Sequence, residues 1–385
     1  MKAKKKKIAI IIKNKNSASG TFVSQFLKLR EIFDIKIYAF EKINFGNNKH
    51  DISIQYYAEK SRTNSGFNLN PIPYLSLINE FIWLGRIFML NHPDIVLSVD
   101  VRCNILAALS IKYFLPKSKL VATARNNIIE VSKRKNFAVR LLLRIIGRII
   151  LKRVDVFICV SDGVKRSYRK FFKIESRMYV IPDGLNLTDV NKFKNMPIPR
   201  EHTSLFKGDF KKIISIGRFE EQKDFPTLLK VFSKTQGKIK DLRLILIGDG
   251  RQRQMLEEMV LKLKLEKYVH FIGWQKNIYP YLAASDLFIL STKYEGFSYV
   301  ILEAIATGIP VISTDAPYGP SEILGNGKYG ILVPVGSVFK MSEAIISIIN
   351  NKLEYKKYAL KSLKRANFYR EDVMLLKYQK LIDSI

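Results

Sequence analysis

The chain has 385 residues, 47% hydrophobic and 26% charged, with 20 Gly and 13 Pro, which suggests two domains with real cores and excludes disordered, collagen-like and low-complexity classes. Two cysteines, Cys103 and Cys159, exclude a disulfide framework and a zinc site and read as buried thiols in a reducing compartment. The 65 Lys and Arg against 34 Asp and Glu give +31, a field that attracts nucleic acid, an anionic membrane surface or phosphorylated substrates but says nothing about fold.

The start, MKAKKKKIAIIIK, has an apolar run too short for a signal peptide or a spanning helix. It reads as a first buried strand. Further short β-branched runs follow at IKIYAF, DISIQYY, DIVLSVD, KLVATAR, VDVFICVS and MYVIPDG, then at KIISIGR, LRLILIGDG, VHFIGW, LFILST, PVISTD and GILVP. Apolar strands separated by helical stretches are the pattern of parallel sheets covered on both faces. Thirteen runs fit two doubly wound sheets of six or seven strands better than one. The expected organisation is an α/β chain with an N-terminal Rossmann-like domain over 1–185 and a linker over 186–211, which holds the proline-bearing MPIPR. A C-terminal Rossmann-like domain over 212–360 and a final helical segment over 361–385, free to pack back on the first domain, complete it. Two such domains facing each other across a cleft would place a phosphate-bearing ligand at strand C-terminal ends and helix N-termini.

Between residues 132 and 177 basic side chains crowd. Arg140, Arg144, Arg148 and Lys152 recur every four residues in an otherwise apolar helix at 137–153. A cationic stripe on an apolar helix suits an anionic membrane surface; a core-packed helix with one wet face is the competing reading. The stretch lacks interleaved aromatics, which argues against nucleic acid.

In SIGRFEEQKDFPTLL, Gly217 ends a strand, Arg218 follows it, and Lys223 precedes a helix that Pro226 opens. A guanidinium and an ammonium at a strand mouth are placed to grip a diphosphate. In KYEGFSYVILEAIATGIPVISTD, Glu295 lies beside Gly296 in a loop, and Glu303 lies two turns into an apolar helix that Gly308 ends. A carboxylate on such a helix needs a partner, and sugar hydroxyls are suitable donors. Gly296, Phe297 and Ser298 would offer backbone N–H groups to phosphate.

Through these residues the sequence resembles the retaining glycosyltransferases of family 4, which have the GT-B fold of two Rossmann-like domains. The resemblance rests on G-R-F-x3-K-D at Gly217–Asp224, LIGDGR at 246–251, FIGW at 271–274, the pair Glu295/Glu303, and VISTDAPYGPSEIL at 311–324, which looks like members that build bacterial surface polysaccharides. It implies that Arg218 and Lys223 bind the donor diphosphate and assist its departure, Glu295 holds the transferred sugar, and Glu303 the ribose. Gly273 and Trp274 would lie near the base, and Ser19 and Gly20, in a glycine-containing loop after the first strand, would approach the donor phosphate.

Many members carry a His after the fifth strand; here Arg125 and Asn126 occupy that neighbourhood and become acceptor-side candidates. The resemblance implies no metal and no cofactor, the two bases replacing a cation. The expected protein is a cytoplasmic, peripherally membrane-bound enzyme. It would move a sugar, with retention, from a nucleotide-sugar (UDP-linked in the first instance) to a lipid-linked saccharide in capsule, O-antigen or lipopolysaccharide assembly. Nucleotide-sugar epimerase or hydrolase chemistry, and a non-catalytic polyanion or membrane binder, are the rivals.

Overall fold

The computed structural model describes residues 5–13, 18–41, 54–57, 73–174, 177–239 and 241–385. Two compact units emerge: residues 1–182 with 375–385, and residues 183–374.

The first unit is built on a seven-stranded parallel sheet. Its strands are β1 (Lys7–Ile12), β2 (Asp34–Ala39), β3 (Ile54–Tyr56), β4 (Ile95–Val99), β5 (Lys119–Ala124), β6 (Val156–Cys159) and β7 (Arg177–Val180). They lie in the order β3-β2-β1-β4-β5-β6-β7. β1 and β4 to β6 are apolar and buried almost throughout because helices cover both faces of a parallel sheet. The start of DISIQYY, residues 51–53, lies outside the described residues. Cys103 and Cys159 are buried free thiols, and burial pushes Cys159 up to about 12.

The second unit holds a six-stranded parallel sheet of β8 (Lys211–Ile216), β9 (Leu242–Ile247), β10 (Val269–Phe271), β11 (Leu287–Leu290), β12 (Val311–Thr314) and β13 (Ile331–Val333). Its order is β10-β9-β8-β11-β12-β13. This is the doubly wound arrangement that the strand–helix alternation predicts, once in each unit. The chain reverses its direction of sheet growth between β1 and β4 in the first unit and between β8 and β11 in the second. Ligands in such sheets bind outside the strand C-termini at that switch point.

The stretch 186–211, read from composition as a linker, is folded onto the second unit. Asn186 caps the helix Leu187–Lys194 by accepting from Thr188 N–H at 3.1 Å and Asp189 N–H at 3.2 Å. Val190 of that helix is buried, Phe193 stacks on Tyr279 with centroids 6.4 Å apart, and His202 Nδ1 lies 2.8 Å from the Tyr281 hydroxyl. Buried apolar side chains decide what Pro and Asn content alone does not. The final segment divides: residues 361–374 belong to the second unit and 375–385 to the first. Tyr378 packs on Phe22 and Phe26 with centroids 5.2 Å and 5.7 Å away, and Lys6 Nζ donates to the Ile382 carbonyl at 2.9 Å.

Candidate functional site

In the second unit, β8 and β11 are neighbours, so the loops that leave their C-terminal ends stand side by side. Gly217 and Arg218 follow β8, and Lys223 closes the 3-10 turn Glu221–Lys223. Glu295 sits in the loop after β11. Residues 72 positions apart thereby meet: Lys223 Nζ contacts Glu295 Oε1 at 2.6 Å, with both side chains largely buried (15% and 7% exposed).

Polar clamps fix this geometry. Gln222 Nε2 donates to Tyr294 O at 2.9 Å, Lys293 N–H to Gln222 O at 2.8 Å, and the Ser291 hydroxyl to Lys223 O at 2.9 Å. Glu295 exchanges backbone hydrogen bonds with the loop after β12, its N–H donating to Pro317 O at 2.9 Å and its carbonyl accepting from Tyr318 N–H at 2.9 Å. Gly217 N–H donates to Ile247 O at 2.9 Å and Phe219 N–H to Asp249 O at 2.9 Å, lacing the loop after β8 to the loop after β9. A Cβ on Gly248 would overlap the Gly217 carbonyl oxygen, and its φ of +137° is closed to other residues, which is why LIGDGR carries glycine there. Gly248 N–H also donates to Gly273 O at 2.9 Å, so Gly273 joins the same loop cluster, while Trp274 beside it is 72% exposed. Arg218 is exposed, and no carboxylate among the described residues pairs with it.

Gly296–Ser298 lead into the helix Tyr299–Thr307. Ser298 holds the N-cap position without capping, and its buried hydroxyl oxygen has no partner. Together with the open amide groups of the first turn, it makes this helix start receptive to an anion. Glu303 lies one turn into the helix rather than two, because the helix begins only at Tyr299. It hydrogen-bonds Tyr279, not Glu295, so the two glutamates serve separate clusters. Burial pushes the Glu303 carboxyl from its ordinary 4.5 up to about 8, against the pull of the Tyr279 hydroxyl.

The native state thus holds this proton more tightly than the unfolded chain does. Its contribution to stability is whole below about pH 4.5 and is lost as pH rises to about 8. Thermal melts of Glu303→Gln against wild type should therefore show a stability difference that shifts in favour of the variant across that window and then levels. A constant difference from pH 5 to 8 would mean that the carboxyl titrates normally.

In the first unit the switch point lies between β1 and β4. Ser19 and Gly20, expected in a loop, occupy the first turn of the helix Ala18–Phe26, while loop residues 14–17 lie outside the described residues. The Ser19 hydroxyl donates to Asp100 Oδ2 at 2.8 Å, and Asn126 Nδ2 approaches Asp100 Oδ1 at 3.5 Å. Arg125 is buried, its guanidinium 4.9 Å from the Phe22 ring centroid.

Asp100 is the residue that sequence reading missed. It precedes the helix Val101–Phe114 in the N-cap position yet makes no side-chain cap, and its φ is +76°. The signal was the Asp that ends the apolar run DIVLSVD. Tyr279, the partner of Glu303, was likewise not singled out.

The helix Phe137–Leu151 carries the basic stripe. Its inner face is anchored by Gly147, Ile150 and Leu151, but the side facing away from them is apolar: Leu142, Ile145 and Ile149 are 48%, 51% and 64% exposed. The competing picture of a core helix with a wet cationic outer face does not describe this arrangement. Arg140 and Arg144, with Lys133 and Lys170, line a recess of about 260 Å³ on its flank. Among the described residues no helix is long and apolar enough to cross a membrane.

Comparison with known proteins fits this architecture. The family model described as Glycosyltransferase Family 4 matches residues 54–189, and that described as Glycosyl transferases group 1 matches residues 199–365. An uncharacterized glycosyltransferase of Methanocaldococcus jannaschii is 29% identical over 277 residues, 67% of this chain and 65% of its own length. The N-acetylgalactosamine-N,N'-diacetylbacillosaminyl-diphospho-undecaprenol 4-alpha-N-acetylgalactosaminyltransferase of Campylobacter jejuni is 29% identical over 159 residues, 41% of this chain and 43% of its own. These alignments thus span less than two thirds of each relative. The crystal structure of Anabaena Alr3699/HepE in complex with UDP superposes with a TM-score of 0.80 at 18% identity, over 98% of this chain and 100% of that one, and shares its fold.

Proposed function

We propose that this chain, which belongs to glycosyltransferase family 4 and has the GT-B fold, transfers a sugar with retention from a nucleotide-sugar, UDP-linked in the first instance, to a lipid-linked saccharide in surface-polysaccharide assembly. The carrying observation is the contact of Lys223 with Glu295 at the C-terminal ends of two adjacent strands, with Arg218 on the same loop as Lys223, where the switch point of the sheet receives ligands.

In this reading Arg218, Lys223 and the amide groups at Gly296–Ser298 hold the diphosphate. They stabilise the charge that grows on it as the bond from the anomeric carbon breaks. The acceptor oxygen bonds to that carbon on the same face, and its proton passes to the departing phosphate oxygen. The two bases take the place of a cation. Glu295 orients the sugar hydroxyls and Glu303 the ribose, while Gly273 and Trp274 stand near the base. In the first unit, Ser19 and Gly20 stand at a helix start of a kind that suits a phosphate. Asp100 and Asn126, with Arg125 beneath them, receive the acceptor.

The lipid-linked acceptor is supported by the Campylobacter relative, whose name is that of a transferase acting on a diphospho-undecaprenol-linked saccharide. Peripheral attachment to an anionic membrane is supported by the exposed apolar face and cationic flank of Phe137–Leu151.

The test is calorimetric titration of UDP, without metal, into wild type and Arg218→Ala. A hydrogen bond to a charged group is worth about 1.5–3 kcal/mol, so the variant should bind about 10- to 150-fold more weakly. Failure of UDP, GDP and ADP alike to bind wild type would overturn the transferase reading.

A further inference from the structure

In the first unit a groove of about 950 Å³ runs between the helices Pro73–Asn91, Val101–Phe114 and Phe137–Leu151. Its volume sits at the upper end of the range for ligand pockets, about 300–1,000 Å³. Three helical stripes form its walls. Val101, Ile105, Leu109 and Tyr113 recur every four residues along one helix. Val139, Leu143, Ile146 and Ile150 do the same with one three-residue step on another, and Leu77 with Phe81 close the third side. Stripes of this kind normally bury against a partner element; among the described residues they face an open channel.

The polar residues of the groove gather at one end. Asp100 and Asn126, already joined to Ser19, lie at the start of the Val101 stripe, with Arg102 beside them and Lys135 on the lining. Arg102 pairs with the buried Glu80 at 2.6 Å through Nη2, while its buried Nε has no partner. From Val101 to Tyr113 the stripe extends about 18 Å at 1.5 Å per residue. An occupant that satisfies the whole groove therefore needs a polar, anion-bearing head and a long, narrow apolar tail. A second protein helix would meet the apolar length but not the cationic and hydroxyl-binding end.

We infer that this groove binds the hydrocarbon chain of a phosphate-bearing lipid, with its phosphate toward Lys135 and Arg102 and the hydroxyls of its head toward Asp100 and Asn126. The inference rests on the lipid-linked acceptor proposed above and gives that acceptor a seat. The tail enters beside the exposed Ile145 and Ile149 face, so one helix carries both the surface that meets the bilayer and, on a different side, the wall of the groove. Lipid chains gain free energy with every methylene that leaves water, so the groove contributes affinity independent of which sugar the head carries.

The experiment is calorimetric titration of farnesyl monophosphate, in vesicle-free and detergent-free buffer, into the full chain. Wild type should bind. Leu109→Glu places a charge in the middle of the stripe and should weaken binding at least tenfold, and Ile105→Trp, which fills the groove while keeping it apolar, should do the same. Thermal melts establish that both variants fold. Undiminished binding by both folded variants, or no binding by wild type, would overturn the groove assignment. UDP titration on the same samples separates the two readings: lost UDP binding with intact farnesyl phosphate binding removes the transferase reading and leaves the groove standing.

Discussion

Replacing Glu295 by Ala should abolish measurable sugar transfer while leaving nucleotide affinity within a few-fold of wild type. Glu295 stands at the strand mouth with its backbone fixed on both sides by the loop after β12, so its carboxylate is held where a substrate hydroxyl can be oriented. Losing one preorganised polar contact at a reacting centre costs about 100- to 1,000-fold in turnover. The nucleotide and diphosphate, by contrast, keep Arg218 and the helix start at Tyr299.

A second consequence is independent of activity. Lys223 loses its buried partner, and an unpaired buried charge is strongly destabilising, by about 3–5 kcal/mol when fully buried and by less here because the ammonium is 15% exposed. Glu295→Gln, which keeps a hydrogen-bond acceptor for Lys223, should recover stability but not transfer. Turnover of Glu295→Ala at the wild-type rate would remove the residue from the sugar site; equal melting temperatures for Ala and Gln would remove the ion pair from the stability argument.

The second large effect is on membrane attachment. Burying an Ile side chain is worth about 1.5–3 kcal/mol, so Ile145→Ser with Ile149→Ser should reduce sedimentation with anionic vesicles by about 100-fold or more. Converting Arg140, Arg144 and Arg148 to Gln should reduce it by a comparable factor at low salt, at about 1 kcal/mol per base. The two variants are distinguished by ionic strength. The apolar loss persists as salt rises, whereas the loss from the arginines shrinks because screening already weakens wild type. If both variants sediment like wild type at low salt, the helix does not mediate attachment.

The thirteen strands and their division into two parallel sheets were legible because a strand covered on both faces is apolar at every position, a signal that survives in single runs such as KIAIII and LRLILI. Arg218, Lys223 and Glu295 were legible for a related reason: each follows such a run, and the doubly wound topology brings run ends together. What the sequence did not disclose were relations set by packing. The partnership of Glu303 with Tyr279 joins two separate helices, and Phe193, on a helix that reads as linker, stacks on the same Tyr279 ring. Asp100 was indistinguishable from a helix cap on paper; only the side-chain geometry shows it turned toward Ser19. The outward face of Phe137–Leu151 was ambiguous too, since a helix with apolar residues on several sides does not reveal which side is covered.

Under the proposed function the contact between Lys223 and Glu295 would also set an interlock on the donor. The carboxylate proposed to hold the sugar is engaged by the ammonium proposed to hold the diphosphate. A free sugar competes with a short, mostly buried ion pair for that carboxylate. A nucleotide-sugar instead brings a diphosphate that can draw the ammonium away and so free the carboxylate for the sugar it carries. Under the proposed function the two ends of the donor would therefore help each other to bind, with a coupling free energy that neither fragment obtains alone. Discrimination against free sugars would then follow from the ion pair itself.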